Sequence, residues 1–172
     1  MPEVRELCQR LVPGEIPDVL SVEAPSWAKL NDCIGNTKRM VTRRGGGVDY
    51  GWQLWETFRG VMIEAEFHAV WVDERGRRHD VTPKPLPSIR ETVFLADPNL
   101  VYNGRQIDNI RVALIDDQIV HDFIAASEAF FETTNRGELA DFHGELTLTP
   151  EMQAIRMRCR KLEVAINAKY FA

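Results

Sequence analysis

The chain has 172 residues, of which 44 % are hydrophobic and 27 % charged, with a net charge of −5. That composition excludes a low-complexity or disordered chain, and no apolar run approaches the ~20 residues of a membrane span. The charge deficit falls entirely after residue 90, and nothing resembles the basic footprint of a nucleic-acid binder.

Residues 2–12 read as an opening helix, with Pro2 in its first turn and Pro13-Gly14 as its stop. The first eight residues lack the basic start and apolar stretch of a secretory signal. The three cysteines, Cys8, Cys33 and Cys159, are odd in number and widely spaced, a poor disulfide framework. Together these features set the expectation of a reducing, cytoplasmic setting with no membrane association.

Residues 19–22 are expected to form a short strand. Ser26 is placed to cap a second helix, along which Trp27, Leu30, Ile34 and Val41 form an apolar stripe beside Cys33, Thr37 and Met40. Gly45-Gly46-Gly47 ends it. A strand-rich middle follows over residues 48–58, 61–72, 78–82 and 92–96. In the first of these, Tyr50, Trp52 and Leu54 share one face and Trp55 takes the other. Pro83, Pro85 and Pro87 exclude helix and ladder, so residues between the last two strands form a loop. The C-terminal third carries the helical period. Ile119, Val120, Phe123, Ile124, Ser127, Phe130 and Phe131 mark one helix, between Asp116-Asp117 and Asn135-Arg136-Gly137. Thr149 caps the last, with Pro150 at its first position and a stripe of Met152, Ile155, Cys159, Leu162, Ile166 and Tyr170. The fold expected is α+β. A core over residues 1–104 holds an antiparallel sheet with a cysteine-bearing helix packed on the face that bears His68. A helical extension over 105–172 packs on that core as one compact domain.

The segment Glu64-Ala-Glu-Phe-His-Ala-Val-Trp-Val72 alternates between two faces. Ile63, Ala65, Phe67, Ala69 and Trp71 make one; Glu64, Glu66, His68, Val70 and Val72 make the other. Asp73-Glu74-Arg75-Gly76 then reads as a type I turn closed by a left-handed glycine, a three-residue loop with a bulge. This turn sets the register: Asp73 opposes Arg77, Val70 opposes Asp80 and His68 opposes Thr82. Asp80 therefore lies on the face of His68, one diagonal step away, at roughly 7–8 Å along the backbone. Shortening the loop by one residue would put the two on opposite faces.

Cys33 lies in Lys29-Leu-Asn-Asp-Cys-Ile-Gly-Asn36, where Asn31 or Asp32 is placed to cap a helix starting at the cysteine. A helix N-terminus stabilises a thiolate. A histidine beside it accepts the thiol proton, and a carboxylate orients that histidine. Cys8 and Cys159, on helix stripes, read as buried structural thiols.

The order of cysteine, helix, glycine turn, strand, His68-Ala-Val-Trp71 and Asp80-Val-Thr-Pro83 resembles the core of the transglutaminase-like superfamily, which belongs with the papain-like cysteine proteases. The likeness spans about residues 26–83. Three features depart from the family pattern: no tryptophan follows the cysteine, Val81 stands where proline is usual, and Glu64 and Glu66 have no counterpart. Gly51-Trp-Gln-Leu-Trp-Glu56 with Glu64-Ala-Glu-Phe-His68 is also similar to a pattern in small bacterial proteins of unassigned function. The resemblance implies a papain-like core in which Cys33 is the nucleophile, His68 the base and Asp80 its orienting carboxylate.

Three functions compete at this level. The first is a thiol hydrolase or acyltransferase acting on a peptide, protein or small amide or ester, and needing no cofactor. Its oxyanion donors would be the backbone N–H of Cys33 and a side chain such as Asn36 or Trp52, with Glu66 in support. The second is a metal site built from Glu64, Glu66, His68 and Asp80, a donor set weakened by its single histidine. The third is a non-enzymatic interaction module. Its C-terminal helices, with a basic cluster at Arg156, Arg158, Arg160 and Lys161, would form a homodimer or partner surface.

Overall fold

The computed structural model describes residues 2–142 and 144–172. In chain order it contains α1 (Pro2–Leu11), β1 (Asp18–Ser21), α2 (Cys33–Arg44), β2 (Gly47–Phe58), β3 (Met62–Val72), β4 (Arg78–His79), β5 (Glu91–Ala96), β6 (Ile110–Ala113), α3 (Gln118–Thr134) and α4 (Pro150–Tyr170). The class is α+β, as the periodicities require. The strands follow the order β1-β5-β2-β3-β4, with β6 paired to β3. The pairings of β5 with β1 and β2, and of β3 with β4, are antiparallel.

The chain forms two compact units. One comprises residues 1–55 and 65–101; the other comprises residues 56–64 and 102–172. The second unit joins the C-terminal residues to the tip of the β2–β3 hairpin. The reason is apolar: Phe58, Val61 and Met62 at that tip are buried in one cluster with Val120 of α3 and Ile166 of α4. The stripe predicted along the last helix is the one that turns inward, with Met152 and Ile166 buried and the rest half-buried. Thr149 caps this helix through Met152 N, and Asp117 caps α3 through Ile119 N. The Tyr170 hydroxyl donates to the same Asp117 carboxylate and so ties the end of α4 to the start of α3. Strand β6 escaped the sequence reading, because four residues offer no alternation to recognise.

In the first unit the sheet nearly closes on itself. Beyond β4 the chain leaves the ladder, and Asp80 bridges in parallel to Val22, just past β1. Glu23 N donates to the Asp80 carbonyl at 2.7 Å. One face of this curved sheet holds a cluster of Leu20, Val70, Phe94 and Ala96. Gln53 sits opposite Phe94 in the ladder, and the His68 ring meets Phe94 edge-on with centroids 6.4 Å apart.

The hairpin register holds next to the turn, but the expected pairings of Val70 with Asp80 and of His68 with Thr82 do not form. Asp73 N donates to Arg77 O at 2.9 Å, Gly76 N donates to Asp73 O at 2.9 Å, and Trp71 and Val72 oppose His79 and Arg78. Gly76 has φ 76°, the left-handed conformation that this loop demands. The expected strand to residue 82 is shorter, because the chain turns away after His79 to reach Val22.

Two expectations about the cysteine helix are corrected. It does not start at Ser26: residues 26–32 form turns, Asn31 is left-handed at φ 58°, and α2 begins at Cys33. Nor does its stripe cover the face bearing His68. Met40 packs with Trp71 and Val81, on the opposite side of the alternation, with Trp27 and Val41 beside them. The Thr37 hydroxyl reaches the Ala69 carbonyl of β3 at 3.3 Å. Because β4 pairs only with Trp71 and Val72, the strand edge beside Ala69 is free to take a helix side chain.

Phe94 is fully buried where these strands meet. Replacing it with alanine should cost about 3–5 kcal/mol, read from the urea midpoint of unfolding. A loss below about 1 kcal/mol would show that this face of the sheet is not a packed core.

Candidate functional site

Cys33 occupies the first position of α2. Its neighbour Asp32 is the cap, accepting from Gly35 N at 3.1 Å. Glycine at 35 leaves room for this cap, since a Cβ there would lie 2.4 Å from the Asp32 carboxylate and displace it. Cys33 is half-buried and Cys8 is buried; Cys159, expected to be buried, is half-buried as well, because it lies at the margin of the inward stripe of α4. The cysteine thus stands at the positive end of a twelve-residue helix.

The turn before α2 is held by Asn36. Its Oδ1 accepts from Lys29 N at 2.9 Å, and its Nδ2 donates to Lys29 O at 2.7 Å and to Thr82 Oγ1 at 3.3 Å. One buried amide therefore clamps three groups and binds the cysteine loop to the segment after Asp80. These bonds occupy both amide hydrogens, so Asn36 is not an oxyanion donor.

His68 is 4 % exposed and Asp80 fully buried. The imidazole Nε2 lies 3.2 Å from Asp80 Oδ1. This is an ion-pair approach without the alignment of an in-line hydrogen bond, since Nε2 lacks a well-aligned partner. Cys33 lies near enough to the His68 side chain to help hold its pKa up. With Nε2 turned to Asp80, Nδ1 is the nitrogen left for sulfur. Asp80 is itself fixed: Thr82 N donates to Oδ1 at 3.0 Å, and Lys84 Nζ lies 2.5 Å from Oδ2. The three residues named from the sequence, Cys33, His68 and Asp80, are brought together.

The supporting residues fare differently. Trp52 is buried and its indole N–H donates to Asp97 Oδ2 at 3.3 Å, so that donor is also taken. Glu66 accepts from Trp55 Nε1 at 2.8 Å and thereby sets the Trp55 ring. Two residues of the site went unnamed in the sequence. Lys84, between two prolines, has no periodic context to mark it. Gln53 was foreshadowed, because alternation along β2 puts it on the face of Trp55, and both meet Lys84.

The four residues of the metal alternative do not converge. The Glu64 carboxylate is engaged by Arg111 at 2.9 Å, Thr57 at 2.9 Å and Asn109 at 3.0 Å, and that of Glu66 by Trp55. Among the described residues, no group of three or more histidine, cysteine, aspartate or glutamate side chains is arranged to hold a metal ion.

Burial alone would pull the His68 pKa down. The close approach of Asp80 outweighs it together with that of Cys33 and the negative charges of both partners, and holds His68 at about 9. Burial would likewise push Asp80 up. The close approach and charge of His68, followed by Lys84, more than offset it and keep the carboxyl below its ordinary range. The two shifts act on stability in opposite pH windows. The folded pKa of His68 lies above its ordinary 6.5, so its contribution is complete below about 6.5 and is lost as the pH rises toward 9. Asp80 contributes above the ordinary carboxylate range and loses that contribution as the pH falls through its lowered value.

No family model, curated protein or solved structure matches this chain. The site must therefore be judged on its own geometry.

Denaturant unfolding across pH should show the wild-type protein losing stability between about 6.5 and 9. A His68→Ala variant, less stable at pH 6, should be markedly flatter over that window. Equal slopes would mean that His68 is not held protonated by its neighbours. Asn36→Ala should cost about 1–3 kcal/mol, because Lys29 and Thr82 lose their partner. It should leave the intrinsic reactivity of Cys33 unchanged in the fraction that stays folded.

Proposed function

We propose that the protein is a thiol-dependent hydrolase or acyltransferase acting on an amide or ester through Cys33, His68 and Asp80. One observation carries the reading. A half-exposed cysteine at a helix start meets an imidazole that is itself buried against a carboxylate, 3.2 Å from Asp80. The sequence resemblance to the transglutaminase-like superfamily points to the same three residues.

The chemistry follows from the positions. His68 takes the thiol proton, and the thiolate attacks the substrate carbonyl to form a tetrahedral intermediate. The backbone N–H of Cys33, at the helix start, is the donor placed nearest the developing oxyanion. As the carbon–nitrogen or carbon–oxygen bond breaks, the imidazolium returns its proton to the leaving amine or alcohol. The acyl group is left as a thioester on Cys33. Water or an amine then attacks the thioester, His68 takes its proton and passes it to the departing sulfur, and the free thiol is restored. Asp80 keeps the imidazole facing sulfur and stabilises its charged form without exchanging a proton. Water as acceptor gives hydrolysis or deamidation; an amine gives transfer. The substrate class is a peptide, a protein or a small amide or ester.

Cys8, buried in the first unit, has its thiol pushed up by that burial. It is the internal control. At pH 6, iodoacetamide should label Cys33 on the order of tenfold or more faster than Cys8 or Cys159. His68→Ala should abolish the advantage, and Asp80→Asn should reduce it less. Incubation with p-nitrophenyl acetate should leave an acetyl group on Cys33 in the wild type and none in Cys33→Ser. Cysteine labelling by mass spectrometry reads every arm. A Cys33 that behaves like the other two thiols, and is indifferent to His68, would overturn the reading.

A further inference from the structure

We propose that Lys84 is a positioning residue of this centre, its ammonium serving as the buried counter-charge that lets a Cys33 thiolate, a His68 imidazolium and the Asp80 carboxylate coexist. The inference rests on the catalytic reading above and adds a fourth group to it.

The side chain of Lys84 is 4 % exposed, an unusual place for a lysine. Its Nζ lies 2.5 Å from Asp80 Oδ2, on the carboxylate oxygen that His68 does not face. It donates to Gln53 Oε1 at 2.5 Å and sits 5.6 Å from the centroid of the Trp55 ring. That ring is in turn fixed by Glu66. Pro83 and Pro85 on either side restrict the backbone that delivers the side chain. So Lys84 is held by an anion, an amide oxygen and a π face at once.

The charge balance shows why this matters. A thiolate, an imidazolium and a carboxylate sum to one negative charge, in a centre whose histidine and aspartate are both buried. An uncompensated charge in such surroundings is costly. The ammonium cancels it. The other groups facing the centre do not: β2 offers only Gln53 and Trp55, and β5 the Phe94 ring. From β3, Glu66 is turned to Trp55, and from α2, Asp32 is turned to Gly35 N. Asp80 is the only other charged side chain in the segment that carries Lys84 to this point. Removing the ammonium makes the potential at Cys33 and His68 more negative, which favours the protonated form of each.

The experiment follows Cys33 alkylation against pH in the wild type, Lys84→Met and Lys84→Arg. The midpoint should move upward in Lys84→Met, by on the order of one pH unit, and return to the wild-type value in Lys84→Arg. A lysine that only anchored the loop would alter stability without moving this midpoint. In case Lys84→Met fails to fold, a second measurement uses the unaltered protein. The NMR signal of the Lys84 ammonium should shift with the same inflection as the His68 imidazole. An unmoved midpoint in folded Lys84→Met, or a Lys84 signal blind to the His68 titration, would overturn the role of Lys84. If wild-type labelling still depends on His68 in that case, the catalytic reading stands. Wild-type labelling that is independent of His68 would remove both.

Discussion

Asp80 is a carboxylate with no exposure to solvent, and its burial is the constraint on which the centre depends. An ionised carboxylate leaves water only if its lone pairs are met by donors and its charge by cations. Thr82 N supplies the hydrogen bond, and His68 and Lys84 supply the charge as ion pairs. The same arrangement raises His68 to about 9, so that an imidazole buried beside Phe94 keeps its proton near neutrality. A histidine packed against Phe94 without Asp80 would be pushed the other way.

The short β4 is what makes room for the start of α2 at Cys33. Had the chain continued in the ladder to residue 82, the edge of β3 beside Ala69 would have been filled by a strand. Instead it departs after His79 and pairs with Val22, and α2 takes the vacated edge through Thr37. The helix then packs its side on Trp71 and Val81 while its first turn addresses His68. Asn36 joins the two features, since it binds both the loop before Cys33 and Thr82 beyond Asp80. The residues expected to polarise a substrate carbonyl, Asn36 and Trp52, spend their donors on the scaffold.

What the chain's own residues determine is local. The two-residue period of β3, together with a loop that requires a left-handed glycine at 76, places His68 and Asp80 on one face one diagonal apart. The structure has them 3.2 Å apart, although Asp80 reaches His68 after leaving the ladder, held by Val22 and Glu23 rather than by the hairpin pairing. The caps at Thr149 and Asp117 and the inward stripe of α4 were legible because capping and period act over a few residues. Tertiary structure decided the rest. Residues 26–32 carry an apolar helical spacing, yet Asn36 captures both backbone groups of Lys29 and holds the segment as turns, a contact no local period encodes. Lys84 reads as a solvated loop charge until Gln53 from a distant strand and Asp80 meet it in the interior. The meeting of Cys33 with His68, 35 positions apart in the sequence, depends on where a strand ends and a helix is admitted. That is set by the curvature and near-closure of the sheet, which a reading of neighbours along the chain does not contain.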